Sequence, residues 1–161
     1  MKTIWLIAAV IVLATGCNKK NSAGRGVEFY KLQNFQMVAG KCQVETTGVQ
    51  FVDNPIVANS DIASYDQITY TFTLKPAAML KIKGLMDNDA LALFVNGEPL
   101  YYFINKPMYS SSSCGESITM SAWNNTSVTM HLGYPTSGST VTDLRNHGLL
   151  LQTLRSQGKL R

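Results

Sequence analysis

The feature that most constrains the fold of this 161-residue chain is Asn96-Gly97, which lies between the apolar segments Leu91 to Val95 and Leu100 to Ile104. An Asn-Gly pair readily adopts the positive φ angles of a two-residue type I′ turn, and that turn matches the twist of paired strands. The sequence therefore predicts a β-hairpin here. Because Pro99 lacks a backbone donor, we expect its strand to lie toward a sheet edge.

Apolar-polar alternation predicts further strands on both sides of this hairpin. The clearest pattern runs from Ile68 to Leu74 and places Ile68, Tyr70, Phe72 and Leu74 on one face, with threonines on the other. The remaining predicted strands are Val27 to Leu32, Val44 to Val52, Ile118 to Ala122 and Ser127 to Leu132, the last two joined by a turn at Asn124-Asn125.

Two segments have helical rather than strand periodicity. Pro76 to Met86 begins with proline at a first-turn position and spaces its apolar residues at helical intervals. Near the C-terminus, Asn146 is a candidate N-cap for a helix through Leu154 that Gly158 would end. The predicted fold class is α+β: a mostly antiparallel sheet with two helices packed on one face, forming a single domain over residues 27–161.

The N-terminal segment predicts export. Lys2 precedes an almost unbroken apolar run from Ile4 to Leu13, and Ala14-Thr15-Gly16-Cys17 follows at once. This order of charge, apolar run and small residues is typical of a secretory signal peptide, and the run is too short for a spanning helix. We expect residues 1–16 to be the signal peptide and residues 17–26 to be a flexible tether. An ordinary secreted protein with a chance cysteine at the cleavage site is the alternative.

The segment that ends at Cys17 resembles the lipobox of bacterial lipoproteins, in which the cysteine is diacylated and becomes the mature N-terminus. That motif usually has leucine three residues before the cysteine, where this chain has Ala14. The resemblance implies membrane anchoring through Cys17, since each buried methylene of an acyl chain adds about 0.8 kcal/mol. Asn18 rather than aspartate follows the cysteine, which by the same resemblance favours the outer membrane, facing the periplasm.

Two further cysteines, Cys42 and Cys114, favour a disulfide, because an even pair is usually oxidised in an exported protein. The alternative is a redox or metal site. It is disfavoured because the sequence has no Cys-x-x-Cys motif and its histidines are His131 and His147 alone. We therefore predict a Cys42–Cys114 disulfide and neither a metal nor a cofactor.

The charge pattern and the polar residues argue against several activities. The net charge of +4 comes from basic residues spread along the chain, whereas a nucleic-acid-binding protein would show a patch. Ser110 to Ser113 could supply a nucleophile, but no Gly-x-Ser-x-Gly elbow accompanies it, and we interpret this run as a linker. Asp87 and Asp89 lack the other ligands of a calcium loop. We predict no catalytic residue, with an unrecognised hydrolase that uses His131 or His147 as the alternative.

Aromatic residues concentrate around the second hairpin strand and the loop before Cys114. Such residues are enriched at interfaces, and a peptide could add to an edge strand at this place. The alternative is a strand that is covered on both faces. The candidate binding surface consists of Tyr101, Tyr102, Phe103, Tyr109 and Tyr134.

Two resemblances extend this interpretation. Several short segments come in the order found in the head subdomain of the periplasmic region of SecD-type translocase subunits, over about Val49 to Met120: Asn54-Pro55-Ile56, Ser60-Asp61-Ile62, the strand to Leu74, the helix from Pro76, and Ala92 to Glu98. The carboxyl half is similar to small Bacteroidetes lipoproteins for which no activity is established. The segments that carry this similarity are Tyr102-Phe103, Tyr109 to Cys114, Leu132 to Pro135, Asp143 with Arg145-Asn146, and Gly158-Lys159-Leu160.

Together these patterns predict a lipid-anchored envelope protein that acts as a non-enzymatic binding or scaffold module. Its expected partners are the membrane, through the lipid on Cys17, and an envelope protein or an exported polypeptide; nucleic acid is not expected. The SecD-like resemblance implies an alternative, a secretion-associated, chaperone-like factor that contacts exported polypeptides.

Overall fold

The computed structural model describes residues 26–136 and 140–161. Its strands are β1 (Val27–Met37), β2 (Val44–Phe51), β3 (Ile62–Asp66), β4 (Thr71–Leu74), β5 (Ala90–Val95), β6 (Glu98–Asn105), β7 (Cys114–Ser121) and β8 (Ser127–Tyr134), and its helices are α1 (Pro76–Lys83) and α2 (Gly148–Ser156). The strands form one sheet in the order β2-β1-β5-β6-β7-β8-β4-β3. Among the pairs in these described ranges, β6–β7 is the parallel one. The predicted α+β fold class is confirmed.

The predicted signal peptide, Cys17 and the tether as far as Arg25 lie outside the described residues. Among residues 26–136 and 140–161, no helix has the length and apolar character needed to cross a bilayer.

The sheet curls around its inner face, which carries the main core. Phe29 of β1 meets Phe72 of β4 edge to face with ring centroids 5.1 Å apart, although five strand positions separate β1 from β4. In a flat sheet five positions correspond to about 24 Å, so the sheet must be strongly curved. Both helices pack on this inner face, since Ile82 of α1 and Leu154 of α2 belong to the same buried apolar cluster.

A second, smaller core lies on the outer face of the sheet, under the β1–β2 hairpin. Phe51 of β2 stacks over Tyr102 of β6 with ring planes 13° apart, although β1 and β5 lie between these strands. The hairpin therefore folds back across β5 and β6. Ala90 and Ala92 of β5 are fully buried beneath it, and their small side chains allow the close approach.

The disulfide between Cys42 and Cys114 holds this folded-back hairpin against the sheet, and its prediction is confirmed. Cys42 lies in the turn between β1 and β2, whereas Cys114 begins β7 on the other side of β6. Their Cα atoms are 5.1 Å apart, which is possible because the hairpin crosses the outer face. The hydroxyl of Ser117 adds a hydrogen bond to the carbonyl of Cys42 at 2.6 Å.

The strand predicted from Ile68 begins only at Thr71. The backbone N–H groups of Ile68 and Thr69 donate to the Asp66 carboxylate at 2.8 and 3.1 Å, and Tyr70 has a φ of 55°, so this segment is a turn. Ile68 is consequently 83% exposed rather than buried. The strand before the turn, β3, has no counterpart among the predicted strands, because a small and a polar residue interrupt its apolar alternation.

The strand that contains Pro99 is not an edge strand, contrary to the prediction. β6 lies between β5 and β7, but its pairing with β7 covers only Phe103, Ile104 and Asn105. Pro99 precedes that stretch and lies beside a register shift in the β5–β6 pairing. No neighbouring strand requires its missing N–H, so the proline is tolerated inside the sheet.

α1 is shorter than predicted, and α2 begins one residue later than predicted. α1 ends at Lys83 rather than at Met86. The N-cap of α2 is His147, whose Nδ1 accepts from the backbone of Leu149 at 3.3 Å. Asn146, the predicted cap, instead donates its side-chain amide to the carbonyl of Gln67 at 2.9 Å, which ties the start of the helix to the β3–β4 turn.

Candidate functional site

A cleft of about 400 Å³ opens where β6 and β7 stop pairing, and we call it the β6–β7 cleft. The two strands are paired only from Phe103 and Ile118 onward. The folded-back β1–β2 hairpin forms one wall, and residues 140–144 form another. Polar and apolar side chains both line the cleft, among them Lys41, Glu116, Ser117, Leu100, Tyr101 and Val141.

β6 directs backbone groups into this cleft. The N–H of Asn105 donates to the carbonyl of Asp89 on the β5 side at 2.8 Å, whereas the N–H of Lys106 donates to the carbonyl of Met120 on the β7 side at 2.8 Å. Backbone direction alternates along a strand, so the even-numbered residues of β6 face β7. The backbone N–H of Tyr102 thus faces the gap at the level where pairing with β7 has ended.

Tyr101 lines the cleft with an otherwise buried side chain. It is 4% exposed, and its hydroxyl has no hydrogen-bond partner among the described residues. Burial raises the pKa of this hydroxyl well above its ordinary value, so the group is a neutral donor. Leaving a buried hydroxyl unsatisfied costs about 1–3 kcal/mol. Because the hydroxyl is buried in the main core, other atoms of Tyr101 line the cleft, and this group lies behind its surface.

The wall formed by residues 140–144 is held in place by Arg145. Its guanidinium forms a two-point ion pair with Asp143 at 2.9 and 2.7 Å, donates to the carbonyl of Met130 at 3.1 Å, and lies 3.6 Å from the centroid of the Tyr70 ring. The hydroxyl of Tyr65 donates to the carbonyl of Arg145 at 2.7 Å. Hydrogen bonds from Arg145 lower the pKa of the Asp143 carboxyl. These contacts come from strands distant in sequence, so local patterns do not reveal this wall.

The wall formed by the hairpin is fixed by β7. The disulfide joins Cys42 to Cys114, and the backbone N–H of Cys42 donates to the Glu116 carboxylate at 3.3 Å. With the Ser117 hydrogen bond, these contacts place Lys41 at the rim of the cleft. The shape of the cleft therefore depends on the disulfide.

The structure does not bring the five predicted aromatic residues into one surface. Tyr101 and Phe103 face the inner core and are 4% and 0% exposed. Tyr102 and Tyr134 pack against the second core on the outer face, and Tyr109 is exposed in the β6–β7 loop. Adjacent residues of a strand point to opposite faces, and β6 has a core on each side. Of the five, only Tyr101 and Tyr102 reach the cleft.

The loop between β6 and β7 brings Ser112 next to a buried lysine. Lys106 is fully buried, and its Nζ lies 2.7 Å from Ser112 Oγ, 2.6 Å from Asn88 Oδ1 and 3.2 Å from the Ser112 carbonyl. The last two groups can only accept, and an ammonium has three donors. Lys106 therefore donates to all three atoms, whereas the activation of a serine requires a base. The serine run fixes the loop, in agreement with its interpretation as a linker.

His131 also contacts a serine, with Nε2 at 2.8 Å from the hydroxyl oxygen of Ser121. Ser121 is 1% exposed, so a substrate cannot reach its hydroxyl. Burial, and next the charge of Arg145, lower the pKa of His131, so the ring is neutral near pH 7. Neither residue lines the β6–β7 cleft. Their side chains satisfy each other's hydrogen bond between β7 and β8.

Acid should destabilise the fold through His131. The unfolded chain protonates this histidine near pH 6.5, whereas the folded pKa is lower, so the unfolded state binds more protons between the two values. Stability that is present above pH 6.5 is then lost as the pH falls toward the folded pKa. We expect His131→Gln to flatten the fall in the free energy of urea unfolding between about pH 7 and pH 5. Gln152→Ala, at an exposed position without a titratable group, is the control and should keep the wild-type slope.

Within residues 26–136 and 140–161, no three His, Cys, Asp or Glu residues come together in a way that could hold a metal ion. No protein-family model matches the chain, and neither the curated proteins nor the solved structures give a significant match. The interpretation of the β6–β7 cleft therefore rests on its geometry.

Proposed function

We propose that this protein is a lipid-anchored, non-enzymatic module of the bacterial cell envelope that binds an extended polypeptide segment in the β6–β7 cleft. The observation that carries the proposal is the early end of β6–β7 pairing, which leaves the backbone N–H of Tyr102 directed toward a cleft of about 400 Å³. Ligand sites typically occupy about 300–1,000 Å³. A polypeptide carries the backbone donors and acceptors that complement an open strand edge.

The side chains of the cleft support a peptide rather than a purely apolar ligand. Lys41 and Glu116 bring charges of both signs to the lining, and Ser117 and Thr46 add hydroxyl-bearing side chains. Leu100 and Val141 supply apolar surface for alternate side chains of an added strand. The partner is thus an envelope protein with an extended segment, or an exported polypeptide.

The location forms part of the proposal and is argued from the sequence. Lipidation of Cys17 after signal cleavage would attach the domain to a membrane, and Asn18 favours the outer membrane on its periplasmic side. The Cys42–Cys114 disulfide supports an oxidising compartment of this kind. Mass spectrometry of the mature N-terminal peptide, with Cys17→Ser as the control, tests the anchor. An unacylated Cys17 would overturn it.

Tyr101→Phe should separate ligand binding from folding. Removal of an unsatisfied buried hydroxyl is expected to raise stability by about 1 kcal/mol, or the melting temperature by roughly 3 °C in a domain of this size. The same change should leave recovery of the partner unaltered, because the buried hydroxyl does not reach the cleft. Tyr109→Phe, at an exposed loop position, should alter neither quantity. A lower melting temperature for Tyr101→Phe would show that the hydroxyl is already satisfied.

Photo-crosslinking in intact cells tests the cleft directly. A benzophenone amino acid at Lys41, on the cleft rim, should give covalent adducts, whereas the same group at Gln152, exposed on α2, should give none. A single folded envelope partner supports the binding module. A broad set of exported chains would establish the chaperone-like alternative, and equal labelling from both positions would overturn the cleft as the site.

A further inference from the structure

Two large exposed apolar side chains line a depression of about 250 Å³, and three more belong to the segments that border it; we call these five side chains the apolar pole. The depression is lined by Leu85 and Lys83 at the end of α1, by part of the β6–β7 loop, and by Ala122. Exposed apolar patches of this kind mark interaction surfaces. The members of the apolar pole are Leu80 (72% exposed), Met86 (72%), Met108 (59%), Tyr109 (77%) and Trp123 (60%).

The structure connects these residues through specific contacts. The side chain of Asn105, which lines the depression, donates to the carbonyl of Met86 at 2.8 Å. Lys83 hydrogen-bonds to Asn125, which holds the turn after Trp123 against α1. The three segments that carry the apolar pole are therefore adjacent in the folded domain.

The charges beside the apolar pole are basic. Lys81 and Lys83 are exposed on α1, and neither forms an ion pair among the described residues. The nearby carboxylates are occupied, because Asp87 faces the buried Lys106 and Asp89 pairs with Lys31 at 2.7 Å. Exposed methionine and leucine, a tryptophan and a tyrosine, and a basic rim are the features of a surface that lies in the headgroup region of an anionic bilayer.

We propose that the apolar pole docks on the anionic membrane to which the chain is attached, an inference that rests on the proposed lipid anchor at Cys17. Val27 pairs with Val95, so the chain enters the domain at the far end of β5 from Ala90. That strand spans about 17 Å, whereas the nine steps from Cys17 to Gly26 can reach about 30 Å. The linking segment is therefore long enough to let the apolar pole meet the bilayer.

Trp123 is a built-in reporter of this docking. The chain has two tryptophans, and Trp5 lies in the predicted signal peptide, so Trp123 is the only one in the mature chain. The lipidated protein would be placed in phosphatidylglycerol-containing vesicles with and without brominated acyl chains. We expect the emission of Trp123 to shift to shorter wavelength and to be quenched by the brominated lipid.

Matched variants test whether residues of the apolar pole cause the quenching of Trp123. Leu80→Ser combined with Lys81→Glu should restore the emission of Trp123, while Ile68→Ser combined with Arg155→Glu should not. The second pair changes an exposed apolar residue and an exposed basic residue away from the apolar pole. Quenching that both pairs leave unchanged would overturn the assignment to this surface.

Two further outcomes separate the inference from the proposed function on which it rests. Unquenched Trp123 in a protein that carries acyl groups and sediments with the vesicles would overturn docking and leave the anchor intact. Absence of acyl groups on Cys17 would overturn both. A Trp123 response to an added unfolded polypeptide without vesicles would show that the apolar pole binds protein, and would overturn the lipid assignment.

Discussion

Replacement of Cys42 and Cys114 by alanine is expected to lower the free energy of unfolding by about 4 kcal/mol, because the bond closes a loop of 72 residues and restricts the unfolded chain. The disulfide also spans the second core, so its loss frees the β1–β2 hairpin to lift from β5 and β6. Urea unfolding of the oxidised wild type and of the variant measures the change. Both proteins should carry Cys17→Ser, so that lipid does not contribute.

Hydrogen exchange should locate the effect in the variant. We expect faster exchange in β2, whose outer-face contacts depend on the folded-back hairpin, and unchanged protection in β4 and β8, which pack in the main core. Ligand recovery through the cleft should fall in parallel, since the hairpin forms one of its walls. A loss below about 1 kcal/mol with β2 still protected would show that apolar packing alone, at about 25 cal/mol per Å² buried, holds the hairpin.

Local chemistry made much of this fold predictable. Asn96 has a φ of 53° and Gly97 one of 92°, as the predicted hairpin turn requires. With Cys17 assigned to the predicted lipid anchor, the other two cysteines allow only one intramolecular pairing, so the Cys42–Cys114 disulfide followed from counting. The apolar-polar alternation also predicted β7 and β8, because one face of each strand is apolar.

The parts that escaped prediction depend on contacts between distant segments. The backward fold of the β1–β2 hairpin follows from the small size of Ala90 and Ala92, which has no signature in a pattern of apolar and polar residues. Nothing in the sequence around Arg145 indicates burial, yet this residue is 9% exposed and holds a wall of the cleft. The aromatic residues around Tyr102 predicted a binding surface from composition alone. The cleft beside Tyr102 instead arises because the pairing of β6 with β7 ends there, which composition does not reveal.

Asp87→Ala is expected to destabilise the protein by about 3 kcal/mol, because it removes the carboxylate beside a fully buried ammonium. Asp87 Oδ1 lies 3.4 Å from Lys106 Nζ without a hydrogen bond, while its other oxygen accepts from Ser110 and Ser112 at 2.9 and 3.2 Å. The ion pair thus locks the loop that carries Met108. Urea unfolding gives the size of the loss, and Lys31→Ala, in a more exposed pair, should change stability by less than about 1 kcal/mol.

Lys106→Met tests whether charge or shape is responsible for that loss. Methionine fills a similar volume and needs no counter-ion, and replacement of a whole buried ion pair by apolar groups is often nearly neutral, whereas removal of one partner is not. We therefore expect Lys106→Met alone to lower stability, because Asp87 loses its counter-ion and the acceptors of Asn88 and Ser112 lose their donor. Asp87→Ala added to Lys106→Met should cost far less than Asp87→Ala alone. An equal cost of Asp87→Ala in both backgrounds would instead mean that the hydrogen bonds from Ser110 and Ser112 to Asp87 hold the loop, independently of the charge on Lys106.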